Sequence, residues 1–249
     1  MEGIRLSVVS YMNTRPFIYG LENSEIWDML ELSKDIPSVG ADKIVNGEVD
    51  IGLVPVVTIS RMKEPNIISD YCIGSDGKVR TVCVFSQVPI EKIRRIYLDY
   101  HSRTSVHLLR ILLDEYWQLK PELIEASTGY ESQMQGDTAG LVIGDRAFDH
   151  EEKFQYRYDL GEVWKQHTGL PFVFATWVSN RQFPKPFLKQ FNEALKLGIT
   201  NIDNSLLENE KHFLPYLHNN ISFHLDDHKK KGMNLFLTKV SGLTMADQV

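Results

Sequence analysis

Short apolar runs alternate along the chain with stretches in which apolar residues recur every three or four positions, and turn-forming polar clusters separate them. That order predicts an α/β architecture. The first run, "SVVSYMN", reads as a buried strand that stops at a polar cluster, Asn13-Thr14-Arg15-Pro16, before aliphatic periodicity resumes in "FIYGLE". Pro16 suits the first turn of a helix, where its missing N–H leaves nothing unsatisfied. Further on, "VGADKIVNGE" spaces Ala41, Ile44 and Val45 as the apolar face of a short helix closed by Gly47. It feeds into "VDIGLVPVV", a buried strand ending at Pro55. The carboxyl end of such a strand is open to a ligand, and open α/β sheets bind ligands beyond those ends.

The middle of the chain repeats the pattern. "NIISDYCIGSDGKVRTVCVFSQVP" reads as strands around a turn at Ser75-Asp76-Gly77. "RIYLDY" is a strand and "HSRTS" a turn, after which Val106, Leu109, Leu112, Leu113 and Tyr116 or Trp117 fall at helical spacing. Ser102 is the expected N-cap, with Ser105 three residues later. "GDTAGLVIGDRAF" is a strand ending in the polar turn Gly144-Asp145-Arg146, and "LGEVWKQHTGLPFVFATWVSN" a helix to Thr168-Gly169 followed by a strand over 171–178. A helix over "KPFLKQFNEALKLGITNI", a polar stretch and a last helix carrying Met233, Leu235, Phe236 and Leu237 complete the chain. These elements divide into two α/β lobes, residues 1–86 with 177–249 and residues 87–176, with crossovers expected near Ser86 and Trp177. Small-ligand clefts favour domain interfaces.

Composition narrows the function classes. Across 249 residues, 43% apolar and 24% charged content is that of an ordinary globular protein able to bury a sizeable core. A net charge of −6 without a basic stripe argues against nucleic acid, so an anionic ligand must be held by a local arrangement. Two cysteines, Cys72 and Cys83, sit in or beside apolar runs, as reduced buried thiols of a cytoplasmic protein do. No leader pattern opens the chain and no run approaches the length of a membrane span, so no membrane partner is expected.

"HSRTS" is the strongest chemical signal. It puts Ser102, Thr104 and Ser105 hydroxyls and the Arg103 guanidinium at a helix amino terminus, where backbone N–H groups and the dipole favour an anion. Ser102 is equally a plain N-cap and Arg103 a solvated side chain. Asn13 and Arg15 form either an anion-binding wall or a turn with a solvated arginine. Asp145 is placed as a general base or as a turn residue paired with Arg146. Thr168 and Gly169 offer amides, and Phe172 an aromatic wall, or else a helix C-cap and core. His224 and His228 lie four apart without a supporting ligand cluster, and no nucleotide, metal or nucleophile-elbow motif occurs.

Taken in order, "YMNTRPFIYGLE", "GEVDIGLVPV", "IGSDGKVRTVCVFSQVP", "LDYHSRTSVHLLRILL", "GLVIGDRAF" and "TGLPFVFATWV" resemble the chorismate dehydratase family, over roughly residues 8–178. The resemblance implies a two-lobed, type II periplasmic-binding-protein-like fold with a ligand cleft between lobes. It implies an enzyme of the futalosine route to menaquinone that converts chorismate to 3-[(1-carboxyvinyl)oxy]benzoate and water without metal or organic cofactor. It places a catalytic asparagine at Asn13, carboxylate-binding groups in "HSRTS", and Arg15, Pro55, Thr81, Ser86, Asp145, Gly169 and Phe172 around a dicarboxylate substrate. Thr14 and Thr81 stand where the family commonly has alanine and serine. The competing expectations are a small-carboxylate binding protein and a sister enzyme of the same route.

Overall fold

The computed structural model describes residues 3–246. The chain divides into two compact units, Met1–Ser75 with Val173–Lys230, and Asp76–Phe172 with Lys231–Val249. Both are discontinuous, and the chain crosses between them three times.

The first unit is built on a six-stranded sheet with strand order β11-β4-β10-β3-β1-β2. Its strands are β1 (Ile4–Val9), β2 (Leu30–Asp35), β3 (Ile51–Pro55), β4 (Asn66–Ser75), β10 (Phe172–Ser179) and β11 (Ser222–His224). β1 is parallel to β2 and β3, whereas β10 runs antiparallel to β3. Helices α1 (Arg15–Glu22), α2 (Pro37–Val45), α5 (Lys185–Thr200) and α6 (Leu214–Asn219) belong to this unit. Neighbouring residues of a strand point to opposite faces, and β10 shows both faces covered. Val178 packs with Ile44 of α2, while Trp177 meets Phe17 of α1 at 5.6 Å and Phe191 of α5 at 5.1 Å. The two helices on the Trp177 face approach at glycines. A Cβ on Gly198 would lie 1.7 Å from the Pro16 carbonyl oxygen, and one on Gly20 2.0 Å from that of Ala194. Only residues without a side chain allow that contact.

The second unit holds a five-stranded sheet, order β7-β6-β8-β5-β9, from β5 (Val82–Ser86), β6 (Arg95–Leu98), β7 (Glu122–Glu125), β8 (Thr138–Ile143) and β9 (Tyr156–Asp159). β6, β7 and β8 are parallel, and β5 is antiparallel to both β8 and β9. Cys83, Phe85, Tyr130, Met134 and Val142 pack over one face. Helices α3 (Arg103–Leu112) and α4 (Leu160–Thr168) pack on one another, and α4 also on β5. Phe236 of α7 (Asp227–Ala246) closes an aromatic cluster with Phe172 at 5.0 Å and Trp164 at 6.2 Å.

Several expectations need correction. The two strands flanking Ser75-Asp76-Gly77 do not form a hairpin; β4 lies in the six-stranded sheet and β5 in the five-stranded one, so that turn is itself a crossover. The crossovers therefore fall at 75/76 and 172/173 rather than near Ser86 and Trp177, and a third at 230/231 carries most of α7 into the second unit. Residues 247–249 of the expected first lobe lie outside the described residues. A strand, β11, lies in the polar stretch before the last helix, where its edge pairing with β4 replaces the apolar alternation a lone strand would need. The helix after "HSRTS" ends at Leu112 in a single π turn over Leu113–Trp117, leaving Tyr116 partly exposed.

Candidate functional site

Strand direction sorts the expected residues onto sheet edges. In the first unit β1 and β3 run parallel, so the polar cluster after Val9 and Pro55 leave the sheet at the same carboxyl edge. β10 brings Ala175 opposite Pro55 there. The cluster folds as a 3-10 turn, Met12–Thr14, running straight into α1 with Pro16 in its first turn. Thr14 is fully buried, and its hydroxyl lies 2.6 Å from both the Val9 and the Tyr11 carbonyl oxygens, so it holds the turn together. Asn13 is buried as well, and its Nδ2 donates to the phenol oxygen of Tyr216 on α6 at 3.1 Å. Arg15 is not a solvated arginine. It pairs with the carboxylate of Glu210, whose other oxygen accepts the Leu207 N–H at 3.0 Å.

In the second unit the carboxyl ends of parallel β6 and β8 share an edge with the amino end of antiparallel β5. Thr81, the "HSRTS" turn and Gly144-Asp145-Arg146 consequently gather along one edge, and the Gly144 N–H donates to the Thr81 carbonyl at 2.9 Å. Ser102 caps α3 as its spacing predicts. Its hydroxyl oxygen accepts the Ser105 N–H at 3.4 Å and the Ser105 hydroxyl at 3.3 Å, which leaves its own proton as a donor. Ser102, Thr104 and Ser105 are buried at this tip, and Arg103 is exposed.

Behind the tip lies a network that sequence reading missed. Asp99 is buried and accepts from the His101 N–H at 2.9 Å, the Ile143 N–H at 3.1 Å and the Tyr130 phenol at 3.1 Å. Arg146 donates to Asp99 and to Glu131, each at 2.5 Å. These bonds tie the ends of β6 and β8 to the turn that presents Ser102. Burial lowers the His101 pKa, with Asp99 opposing the shift and Arg146 adding to it, so the imidazole is neutral at pH 7. The "LDY" before "HSRTS" is the available signal: an aspartate inside a strand pattern needs donors.

Three expected residues fall elsewhere. Ser86 is at the opposite end of β5 from Thr81, about 16 Å away at 3.3 Å per residue, and its hydroxyl accepts the Val88 N–H at 3.1 Å. Gly169 is the left-handed C-cap of α4, with φ of 73°, and the local amides are already used: the Gly169 N–H donates to Lys165 and the Leu170 N–H to Thr168. Phe172 is a core ring, in contact with Trp164 at 5.3 Å. A cavity of about 460 Å3 between Gly47, Arg61 and Asn180 opens at the amino end of β3, away from Pro55. Among the described residues no three His, Cys, Asp or Glu side chains converge as a metal would need, and no helix is long and apolar enough to cross a membrane.

Comparison with known proteins gives a family and a fold. A family model described as menaquinone biosynthesis matches residues 4–241. A chorismate dehydratase of Thermus thermophilus is 28% identical over 176 residues, covering 63% of this chain and 64% of the relative, so just under two thirds of that protein's length is matched. Among solved structures, protein AF1704 of Archaeoglobus fulgidus superposes with a TM-score of 0.72 at 15% identity, covering 98% of both chains. The Candida albicans CA3427 gene product, described as having the generic periplasmic binding protein fold, reaches 0.65 at 11% identity over 97% of this chain and 90% of its own. The periplasmic aliphatic sulphonate binding protein SsuA of Escherichia coli reaches 0.58 at 12% identity over 100% and 94%. At such identities the likeness shows the fold, which is of the periplasmic-binding-protein type.

Proposed function

The chain belongs to the menaquinone biosynthesis family, and from that premise we propose that it is a chorismate dehydratase, a hydro-lyase that converts chorismate to 3-[(1-carboxyvinyl)oxy]benzoate and water. The 28% identity to a chorismate dehydratase is the observation that carries the reading. The reading includes action in the cytoplasm, which suits two free, buried thiols.

The chemistry asks for donors more than for bases. The C3–H bond breaks, its electron pair becomes the new ring double bond to C4, and the C4–O bond breaks so that hydroxide and the proton leave as water. Aromatisation supplies the driving force. Conjugation to the ring carboxylate acidifies the C3 proton, and hydrogen-bond donors on that carboxylate stabilise the negative charge that develops. In this reading Ser102, Thr104 and Ser105, with the first-turn amides of α3, bind a carboxylate. Arg103 adds charge at the rim and Thr81 a further hydroxyl. Asn13, beside Pro55, orients the leaving hydroxyl or the enolpyruvyl carboxylate, and that carboxylate takes the C3 proton. Arg15 contributes through Asn13's turn, being already paired with Glu210. Asp145, at the same edge as Ser102, contacts the substrate in this reading.

Mixing purified protein with chorismate and following absorbance and mass should show an aromatic product lighter than chorismate by one water. Asn13→Ala should lower turnover by about a hundredfold or more while the protein stays folded. The shared fold with binding proteins favours one second reading, a carboxylate binder without catalysis. Chorismate bound but recovered unchanged would establish it and remove the dehydratase.

A further inference from the structure

The segment 208–219 reaches the opening motif from about two hundred positions away. Glu210 pairs with Arg15 and closes its own turn on the Leu207 N–H. Six residues later, the Tyr216 phenol oxygen accepts the Asn13 amide N–H at 3.1 Å, with both side chains buried. The segment is itself fixed to the unit, with Tyr216 and Leu217 buried and His218 2.8 Å from Asp203. The two contacts fall on the first and third residues of the stretch 13–15, between which Thr14 ties the backbone to Val9 and Tyr11.

An asparagine amide has two ends of opposite hydrogen-bonding character and a soft terminal torsion. A phenol can accept from the amide nitrogen or donate to the amide oxygen; here it accepts from Nδ2, which turns the Asn13 carbonyl oxygen to the other side. We infer that Tyr216 is the positioning residue for Asn13. The phenol holds the amide so that Oδ1 meets the substrate's hydroxyl donor, and the Arg15–Glu210 pair anchors the segment carrying the phenol. This rests on the reading of Asn13 as the orienting group for dehydration, and it assigns a role to a part of the chain outside the motifs that carry the family resemblance. Tyr216 touches no reacting atom; it acts through Asn13.

Steady-state turnover of chorismate by the full chain tests it. Tyr216→Phe removes one oxygen and leaves the ring, so KM should stay within about twofold and the melting temperature within a few degrees, while kcat falls by about tenfold or more. A residue that serves packing alone moves melting and leaves kcat in place. Normal kcat in a folded Tyr216→Phe protein, beside an active wild type, overturns the inference and leaves the dehydratase reading intact. A melting temperature lowered in step with the activity also overturns it. A wild type that does not convert chorismate overturns both. Should Tyr216→Phe not fold, Glu210→Gln at the part-exposed ion pair decides: a fall in kcat at unchanged KM supports the inference, and an unchanged kcat ends it.

Discussion

Arginine beside a strand end invites an anion, yet Arg15 is balanced inside the protein by Glu210 and Arg146 by Asp99 and Glu131. In the proposed site the carboxylate then meets hydroxyls, amides and a helix tip, with Arg103 at the rim. Spacing shows that Arg15 is present; its partner lies 195 residues away, and no local pattern reveals it. Ser102 is the opposite case: N-capping is decided within four residues, and the cap is where the sequence puts it. The thiols are equally readable. Burial pushes Cys72 up to about 12, and burial with the nearby Asp159 raises Cys83. A disulfide exchange reagent at pH 8 should therefore titrate neither thiol in the folded protein and both after unfolding in denaturant. At acid pH Asp35 is one of several carboxyls held low, with Asp50, Glu115 and Asp226. Burial pushes the Asp35 carboxyl up, but the Lys43 ammonium and the Ser33 and Ser7 hydroxyls outweigh burial and hold it below the usual range. A depressed carboxyl adds stability that is complete above its unfolded pKa and lost as pH falls through the folded one. The urea midpoint of the wild type should drop between about pH 5 and pH 3, and less steeply in Asp35→Asn.

Among elements, the α1–α5 contact decides where the opening motif sits. Gly20 and Gly198 let the two backbones touch, and the carbonyl that Gly198 meets belongs to Pro16, next to Arg15. Gly198→Ala should cost roughly 3 kcal/mol, seen as a lower denaturant midpoint, because the obstruction is backbone and cannot rotate away. Turnover should fall with it as Asn13 moves. Asp159 has a comparable place in the second unit: its carboxylate accepts from the Val79, Arg80, Gly161 and Glu162 N–H groups, joining the crossover before β5 to the start of α4. Periodicity and caps make α1 to α5 legible within a few residues, since each is settled by its own neighbours. Sheet membership is not. β4 and β5 look like two arms of a hairpin, and only their partners β10, β11, β8 and β9 show that they part company. Ser86 is subject to the same gap: it lies at the opposite end of β5 from Thr81, which strand direction alone decides.

For the whole molecule, three crossings make each unit depend on distant chain. Residues 76–172 contain all five strands of the second sheet, but the cluster of Trp164 and Phe172 is closed by Phe236. That fragment expressed alone should show broad, weakly dispersed amide signals, and fusing residues 231–249 after a flexible linker should sharpen them. Phe236→Ala in the full chain should cost about 3–5 kcal/mol. The order of runs and turns suggests one interrupted and one continuous lobe, whereas both units are interrupted; the position of α7 is not legible, because its apolar residues specify burial without naming the surface they cover. The interleaving also has a consequence for synthesis. The first sheet lacks β10 until residue 179 and β11 until residue 224 has been added, and the second core lacks Phe236 for twelve residues more. Each core therefore needs chain from far along the sequence before its apolar strands are fully covered, and the two requirements are met within a dozen residues of one another.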